Sequence, residues 1–328
     1  MSNHRFIADF ENSQYLDGVY CIYNAQLGQT KAGKPYLKAI IRDKSGQIAA
    51  RMWNINEQQF KALPTNGFVW LEGQTQPFQG ERQLIVQDIR GVEVAAEDLP
   101  NLLPATKKNV DEMVAQMRAL LATLTHPGIK ALLQQYLDDE PLMESFRASP
   151  AAVSMHHAYL GGLLEHTLQL CTLADRMLPL YPKLNRDLVI VGLFLHDMAK
   201  CLELSYEYGF TYTTEGQLIG HIVLGSLMLQ QKAEAAKAAG AAKLPSEALL
   251  VLHHIILSHH GIPEYGAAKV PSTPEAIFVS RLDELDAKTQ MGIDNARPDV
   301  GVVSEGESDF TEKIWALDTR LFRPDPLA

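Results

Sequence analysis

The most constraining feature of this sequence is a histidine–aspartate pair that directly follows a strongly apolar segment. Residues 189–195 carry no charge and predict a buried helix, and His196 and Asp197 come next. Burying an imidazole beside a carboxylate costs free energy unless something compensates for the lost water, and a bound metal ion would do so. For a pair that stands alone, a hydrogen-bonded core histidine beside a capping aspartate would be the better interpretation.

The pair does not stand alone, because histidines are concentrated in one part of the chain. Only His4 and His126 fall outside this group. The eight others lie between positions 156 and 260: His156, His157, His166, His221, His253, His254, His259 and His260. Histidine is the commonest metal ligand in proteins, so the clustering favours a metal site.

Charge is distributed unevenly along the 328 residues, which are enough for two domains. The net charge of −10 by itself argues against a nucleic-acid partner. Residues 1–95, however, carry 10 Lys and Arg against 9 Asp and Glu, so the acidic excess lies in the remainder. The first part of the chain is therefore the part that could meet a polyanion without an electrostatic penalty.

The first domain, residues 1–95, is predicted to be all-β. Turn residues separate short runs with strand character, which are 18–27, 36–42, 47–53, 66–74 and 82–90, with a short helix over 56–63. Five short strands with a helix after the third suit an OB-fold barrel, and a small sandwich is the alternative.

Cations and aromatic rings alternate in the second and third of these strands. The candidates for contact with a nucleic acid are Lys34, Tyr36, Arg51 and Trp53, with Lys31, Lys38 and Arg42 nearby. Proteins that bind single strands combine a cationic groove with stacking rings. Alternatively, Tyr36, Trp53, Phe68 and Trp70 fill the barrel. Trp53, at a strand end, is the best stacking candidate.

The rest of the chain is predicted to be helical. Residues 96–108 form a proline-containing linker, 109–293 an all-α domain, and 294–328 a tail with one short helix over 310–317. Asn109, with Glu112 three residues later, predicts a helix start. Further helices are expected at 128–138 and 140–147, and residues 210–213 could form a strand.

Nothing in the sequence predicts a membrane or an oxidising compartment. No run is apolar for long enough to cross a bilayer, and the first residues open no signal-peptide pattern. Cys21, Cys171 and Cys201 form no paired spacing and are expected to be thiols in a reducing cytosol. We expect a cytoplasmic protein that makes no membrane contact, and its oligomeric state is open.

Five segments of the helical part offer imidazoles and carboxylates without thiolates: 163–167, 196–200, 220–221, 258–261 and 281–286. Mixed nitrogen and oxygen ligation suits Mn²⁺, Fe²⁺, Co²⁺, Ni²⁺ or Zn²⁺. The donors exceed what one tetrahedral ion needs, and two ions bridged by a carboxylate would use them better. Such ion pairs hold the attacking and leaving oxygens in phosphoryl displacement.

The order His166, His196-Asp197, Asp283 resembles the HD-domain phosphohydrolase superfamily. The longer strings at 156–167, 215–221, 258–261 and 283–288 are similar to those of YhaM-type 3′-to-5′ exoribonucleases, which also carry an N-terminal OB-type domain. The resemblance covers most of residues 15–290 and does not extend to the tail. It implies an OB-fold barrel followed by an all-α HD-domain helical bundle.

The resemblance also implies roles for individual residues. His166, His196, Asp197 and Asp283 resemble the core metal ligands, with Asp197 as the bridge. The extra histidines of two-metal members correspond to His221, His259 and His260. Lys200 resembles a lysine that neutralises a phosphate, and His157 is a candidate for substrate contact. Arg281 either binds a phosphate or, as we favour, pairs with Glu284. His253 and His254 are expected to be structural, and the role of His156 is open.

These residues predict a metal-dependent 3′-to-5′ exoribonuclease that hydrolyses single-stranded RNA to nucleoside 5′-monophosphates, and single-stranded DNA is a second candidate substrate. Two divalent ions are expected, with Mn²⁺ favoured. One alternative is an HD-type phosphohydrolase of free or cyclic nucleotides, although such small substrates need no strand-binding barrel. The other is a non-catalytic nucleic-acid-binding protein, although structural zinc sites favour thiolates.

Overall fold

The computed structural model describes residues 4–30, 33–53, 55–78, 81–95, 98–153, 157–206, 209–297 and 309–327. It divides into two compact units. The first comprises Met1–Lys107 with Leu204–Tyr212, and the second comprises Lys108–Glu203 with Thr213–Ala328. His156 and Lys31 lie outside the described residues. The predicted linker and tail boundaries stay predictions.

The first unit is built on a closed five-stranded barrel with the strand order β1-β2-β3-β5-β4. Its strands are β1 (Tyr15–Gln29), β2 (Pro35–Asp43), β3 (Gly46–Trp53), β4 (Gly67–Phe78) and β5 (Glu81–Gly91). Neighbouring strands are antiparallel except for β3 and β5, which pair in parallel. Helix α1 (Glu57–Lys61) lies between β3 and β4 and is capped by Asn56. The predicted OB-like barrel is confirmed, and it is not a sandwich.

Alternation along the strands decides which side chains fill the barrel. In β2, Leu37, Ala39 and Ile41 are buried, while Lys38 is exposed. Because successive side chains of a strand point to opposite faces, the intervening positions form the outer face of the barrel.

The second unit is helical, as predicted. Its helices are α3 (Val110–Ala122), α4 (Pro127–Leu137), α5 (Glu140–Ala148), α6 (Gly162–Met177), α7 (Arg186–Leu195), α8 (Lys200–Glu203), α9 (Thr214–Leu218), α10 (His221–Ala238), α11 (Ser246–Ser258) and α12 (Pro274–Ala296), whereas α2 (Leu99–Leu102) belongs to the first unit. Asn109 caps α3 through the backbone N–H groups of Asp111 and Glu112, as its position predicted. None of the helices in the described part of the chain is both long and apolar enough to cross a membrane.

Helix α7 lies at the centre of the helical core, because residues 189–195 are all buried. Gly192 lets α11 approach closely, since a Cβ atom there would lie 2.7 Å from Ile255 Cδ1. The helix ends at Leu195, so its C-terminal end carries His196 into the interior of the unit.

Two local predictions differ from the structure or extend it. The short helix expected over 310–317 is wrong: only Trp315–Leu317 forms a single 3₁₀ turn, and Asp318 follows with φ of 53°. Bridges from Phe310 to Phe322 and from Ile314 to Thr319 engage this backbone instead. The strand character of 210–213 is realised as β7 (Thr211–Tyr212), which pairs with β6 (Leu204–Ser205).

Candidate metal centre

Four side chains from three places in the helical unit meet around the end of α7. His166 comes from α6, Asp283 from α12, and His196 and Asp197 follow α7. The Nε2 atom of His166 lies 3.3 Å from Asp283 Oδ1 and 3.8 Å from Asp197 Oδ2. The Nε2 atom of His196 lies 3.4 Å from Asp197 Oδ2 and 3.9 Å from Asp283 Oδ1. We call these four residues the first group.

A second group lies on the other oxygen of Asp197. His221 is the first residue of α10, and His259 follows the end of α11. Their Nε2 atoms each lie 3.4 Å from Asp197 Oδ1. His260 belongs to the same group, whose possible ligand atoms all lie within 4.8 Å of one another. Asp197 therefore faces the first group with Oδ2 and the second group with Oδ1.

Hydrogen bonds at Nδ1 orient the histidine rings. Backbone carbonyl groups, which can only accept, lie 2.7 Å from Nδ1 of His196, 2.8 Å from that of His259 and 2.6 Å from that of His260. Carboxylates take this place for His166 and His221. A proton on Nδ1 leaves the Nε2 lone pair of a neutral ring free for a metal.

The donor set of the two groups fits divalent cations. Four buried atoms have no hydrogen-bond partner among the described residues, namely Nε2 of His196, His221 and His259 and Oδ1 of Asp197. Leaving such atoms desolvated and unpaired is costly, and a cation between them would remove that cost. Imidazole nitrogen with carboxylate oxygen suits the Mn²⁺ to Zn²⁺ series.

Lys200 lies beside the carboxylate that the two groups share. Its Nζ atom is 2.7 Å from Asp197 Oδ2, and its side chain is 13% exposed. Burial opposes the charge on Lys200, but Asp197 outweighs it, so the pKa of Lys200 is raised. Burial would raise the pKa of Asp197, but Lys200 and His196 hold it well below its ordinary value. The structure thus places a cation next to an ionised aspartate.

The histidines differ in their affinity for a proton. Burial lowers the pKa of His166, but hydrogen bonds to Asp283 and Asp286 outweigh burial and raise it to about 9. Burial, with the neighbouring His259, lowers the pKa of His260 to about 4. Burial also lowers the pKa values of His221 and His259, against the opposing effect of nearby carboxylates. The second group is therefore ready to bind a cation without first losing protons from these three rings.

Two predicted substrate contacts are not supported by the structure. His157 is 2% exposed, with Nδ1 2.7 Å from the Tyr159 hydroxyl and Nε2 3.4 Å from Asp286 Oδ2, so protein groups surround it rather than solvent. Arg281 is exposed and pairs with Glu284 at 2.5 Å, the pairing that we favoured. At 3.6 residues per turn, its position two residues before Asp283 lies on the opposite face of α12.

His253 and His254 have structural partners, as expected. His253 Nδ1 lies 2.8 Å from Ser226 Oγ, and His254 Nε2 accepts a hydrogen bond of 2.8 Å from Ser272 N.

The predicted nucleic-acid contacts share the outer face of β2 and β3. Tyr36 lies opposite Trp53, with ring centroids 5.2 Å apart, and Lys38 lies opposite Arg51. Trp53 is 48% exposed, and Lys34 is exposed just before β2. The Tyr36 ring lies across Gly28, where a Cβ atom would come within 2.7 Å of the ring, so a side chain at this position would have to displace the ring.

The alternative in which these aromatic residues fill the barrel is wrong, because none of the four belongs to the barrel core of the described residues. Phe68 is buried at 1% exposure, but it alternates along β4 with Val69 and Leu71, which belong to the barrel core, whereas Trp53 is exposed. Trp70 stacks with Arg90, whose Cζ atom lies 4.6 Å from the ring centroid.

The sequence interpretation missed two carboxylates in the site. Asp286 Oδ2 lies 2.8 Å from His166 Nδ1, and Glu203 Oε1 lies 2.9 Å from His221 Nδ1. A helical spacing of three residues puts Asp286 on the same face as Asp283, and this signal could have identified it. No comparable spacing connects Glu203 to His221, which is 18 residues away.

Residues 163–288 match the family model of the HD domain. This range contains every member of both groups. The matched HD domain indicates a metal-dependent hydrolase of the phosphohydrolase type.

Two solved structures are similar to part of the chain. One is a replication protein A heterotrimer bound to ssDNA, with 20% identity over 29% of this chain and 68% of that chain and a TM-score of 0.22. The other is the second OB-fold domain of replication protein A from Methanococcus maripaludis, with 16% identity over 28% of this chain and 96% of that chain and a TM-score of 0.21. The barrel assignment rests on the strand order itself.

Proposed function

We propose that this protein is a two-ion 3′-to-5′ exonuclease that hydrolyses single-stranded RNA to nucleoside 5′-monophosphates. The observation that carries the proposal is the position of Asp197, whose two oxygens face two separate groups of ligands. A carboxylate in this position can bridge two ions, and ion pairs of this kind serve phosphoryl displacement.

The first ion would be held by His166, His196, Asp197 and Asp283, and the second by Asp197, His221, His259 and His260. When bound, such ions lower the pKa of a water molecule and neutralise charge on a phosphate. The nitrogen and oxygen donors are compatible with Mn²⁺, which we favour, and with Fe²⁺, Co²⁺, Ni²⁺ and Zn²⁺.

The chain itself would contribute a cation and a fixed geometry. Lys200 remains protonated beside Asp197 and would stabilise the charge that develops on the phosphorus oxygens, because a prearranged cation needs no reorganisation during the reaction. The Nδ1 contacts of the histidines hold their rings in place before substrate arrives. Asp197 is ionised and so needs to lose no proton to act as a ligand.

The outer face of the barrel supports a single-stranded polymer as substrate. Trp53 and Tyr36 offer adjacent rings, and Lys38 and Arg51 lie next to them on the same two strands. Rings that stack on bases and cations that follow the backbone are what binding of a single strand requires. This is the face on which OB-folds bind oligonucleotides. A free nucleotide would use none of it.

A time course with 5′-labelled single-stranded RNA tests the proposal. With Mn²⁺ we expect a ladder that shortens from the 3′ end, and with EDTA an intact strand. Internal cuts, or an RNA that stays intact with every metal while a mononucleotide panel is hydrolysed, would refute it. The latter result would favour a phosphohydrolase of free or cyclic nucleotides. A DNA copy of the strand measures preference for the 2′-hydroxyl.

A further inference from the structure

The two groups of ligands share one structural detail. Each contains one histidine whose Nδ1 contacts a carboxylate: His166 contacts Asp286 and His221 contacts Glu203. The other three histidines have backbone carbonyls at Nδ1. A carboxylate carries a full negative charge, whereas a carbonyl carries only a dipole.

We propose that Asp286 and Glu203 are positioning residues, and that each sets the affinity of one ion through the histidine that it contacts. This inference rests on the proposed two-ion site. A carboxylate that accepts the Nδ1 proton fixes the tautomer and makes the opposite nitrogen a stronger donor to metal. Asp286 would thus act on the first ion and Glu203 on the second.

Asp286 is held from several sides. It is 4% exposed, and while Oδ2 accepts from His166, Oδ1 accepts a hydrogen bond of 2.5 Å from Gln169 Nε2. The buried ring of His157 also approaches Oδ2, at 3.4 Å. The role of His157 follows from this contact: it supports Asp286 behind His166 instead of touching substrate.

The backbone of His157 is built for that contact. His157 has a left-handed conformation with φ of 53°, and the turn that follows brings its carbonyl against Gly162, where a Cβ atom would lie only 2.1 Å from that oxygen. Glycine at position 162 is therefore required for His157 to reach Asp286.

Glu203 is held in a different way. Its Oε1 atom accepts from both the backbone N–H and Nδ1 of His221, each at 2.9 Å, so it fixes the start of α10 as well as the ring. The Glu203 carbonyl accepts a hydrogen bond of 2.9 Å from Thr213 N. Gly216 packs so closely that a Cβ atom there would lie 2.2 Å from the same carbonyl oxygen.

The test is Mn²⁺ binding by calorimetry to Asp286→Asn and Glu203→Gln, without RNA, at a pH where the affinity of each protein no longer changes with pH. Both changes keep size and remove the charge. We expect each to weaken one of the two ions by about 10- to 100-fold. Glu284→Gln is the control, because Glu284 is a neighbouring carboxylate on α12 that pairs with Arg281 and Lys288. It should leave both affinities unchanged.

Two background variants identify which ion responds. His221→Ala removes a ligand of the second group and should leave only the first ion, which Asp286→Asn must weaken and Glu203→Gln must not. The His166→Ala background should give the reverse. The proposal would be overturned if either Asp286→Asn or Glu203→Gln weakened the binding of both ions equally, or if neither variant weakened the binding of any ion.

A milder variant separates positioning from folding. Gln169→Ala frees one oxygen of Asp286 without touching His166, and it should weaken the first ion less than Asp286→Asn does, with an unchanged melting temperature in EDTA. Unchanged ion affinity in this variant and in Asp286→Asn, with both folded, would refute the role of Asp286. Because no RNA is present, failure here is distinct from failure of the proposed nuclease activity.

Discussion

Binding of Mn²⁺ at the first group should release about one proton from His166 near neutral pH. Burial lowers the pKa of His166, but hydrogen bonds to Asp283 and Asp286 raise it to about 9. In the metal-free protein the ring therefore donates from Nε2 toward Asp283 and from Nδ1 toward Asp286. Because a metal needs the Nε2 lone pair, the Nε2 proton must leave.

The strength of the competition between the proton and Mn²⁺ follows from the difference between the pKa of His166 and the pH of the experiment. At pH 7 the ring is about 99% protonated, and two pKa units correspond to about 2.7 kcal/mol of competition against the metal. The affinity of the first ion should therefore rise about tenfold per pH unit between pH 7 and 9 and then level off.

Calorimetric titration in buffers of different ionisation enthalpy measures the protons released. Asp286→Asn removes one of the hydrogen bonds that raise the pKa of His166, so its affinity should level off at a lower pH. Glu284→Gln is again the control and should behave as the wild type. An affinity for the first ion that does not change between pH 7 and 9, with no proton release, would refute this reasoning.

Three further predictions concern other parts of the protein. Lys200→Met should lower kcat by about 10²- to 10³-fold while both ions still bind, and a wild-type kcat would exclude its role at the phosphate. Trp53→Ala should weaken RNA binding by about 1–3 kcal/mol in a fluorescence titration and leave hydrolysis of a small phosphodiester unchanged; unaltered RNA binding would remove Trp53 from the interface. Asp43 accepts hydrogen bonds from the N–H groups of Ile7 and Ser45. Asp43→Ala should therefore lower the free energy of unfolding of the first unit by about 2–4 kcal/mol in a urea titration, and a loss below about 1 kcal/mol would contradict the stabilising role of these hydrogen bonds.

The pH dependence of stability has a definite sign in the metal-free protein. The pKa of His166 is raised from 6.5 to about 9, so its stabilising effect is complete below about pH 6.5 and is lost as pH rises through 9. The free energy of unfolding in EDTA should fall by about 3 kcal/mol over this range relative to His166→Gln. An equal slope for both proteins would contradict the assignment.

Local patterns were enough to predict the architecture. Alternating strands and turn residues indicated the barrel, and the uncharged run at 189–195 indicated the central helix that carries His196 and Asp197. The Asp283–Asp286 spacing was also available in the sequence. Each of these features depends on residues that are close together in the sequence, so the sequence alone was enough to predict it.

Features that depend on distant residues could not be predicted in the same way. The contact between Glu203 and His221 depends on how α8 and α10 pack. The sequence suggested that His157 contacts substrate. In the structure His157 is buried behind His166, and this burial depends on a turn that Gly162 allows and that the sequence alone does not reveal. Trp53 and Phe68 both lie outside the barrel core, and only the packing of the folded chain decides that one is exposed and the other buried.

The most direct test of the central claim is the first product from a 3′-end-labelled single-stranded RNA, cleaved with Mn²⁺ in water enriched in heavy oxygen. The account predicts that the label is released as a nucleoside 5′-monophosphate with one heavy oxygen on its phosphate, and that Asp197→Asn releases none. A product with a 3′-phosphate, a labelled oligonucleotide from an internal cut, or equal release by Asp197→Asn would contradict it.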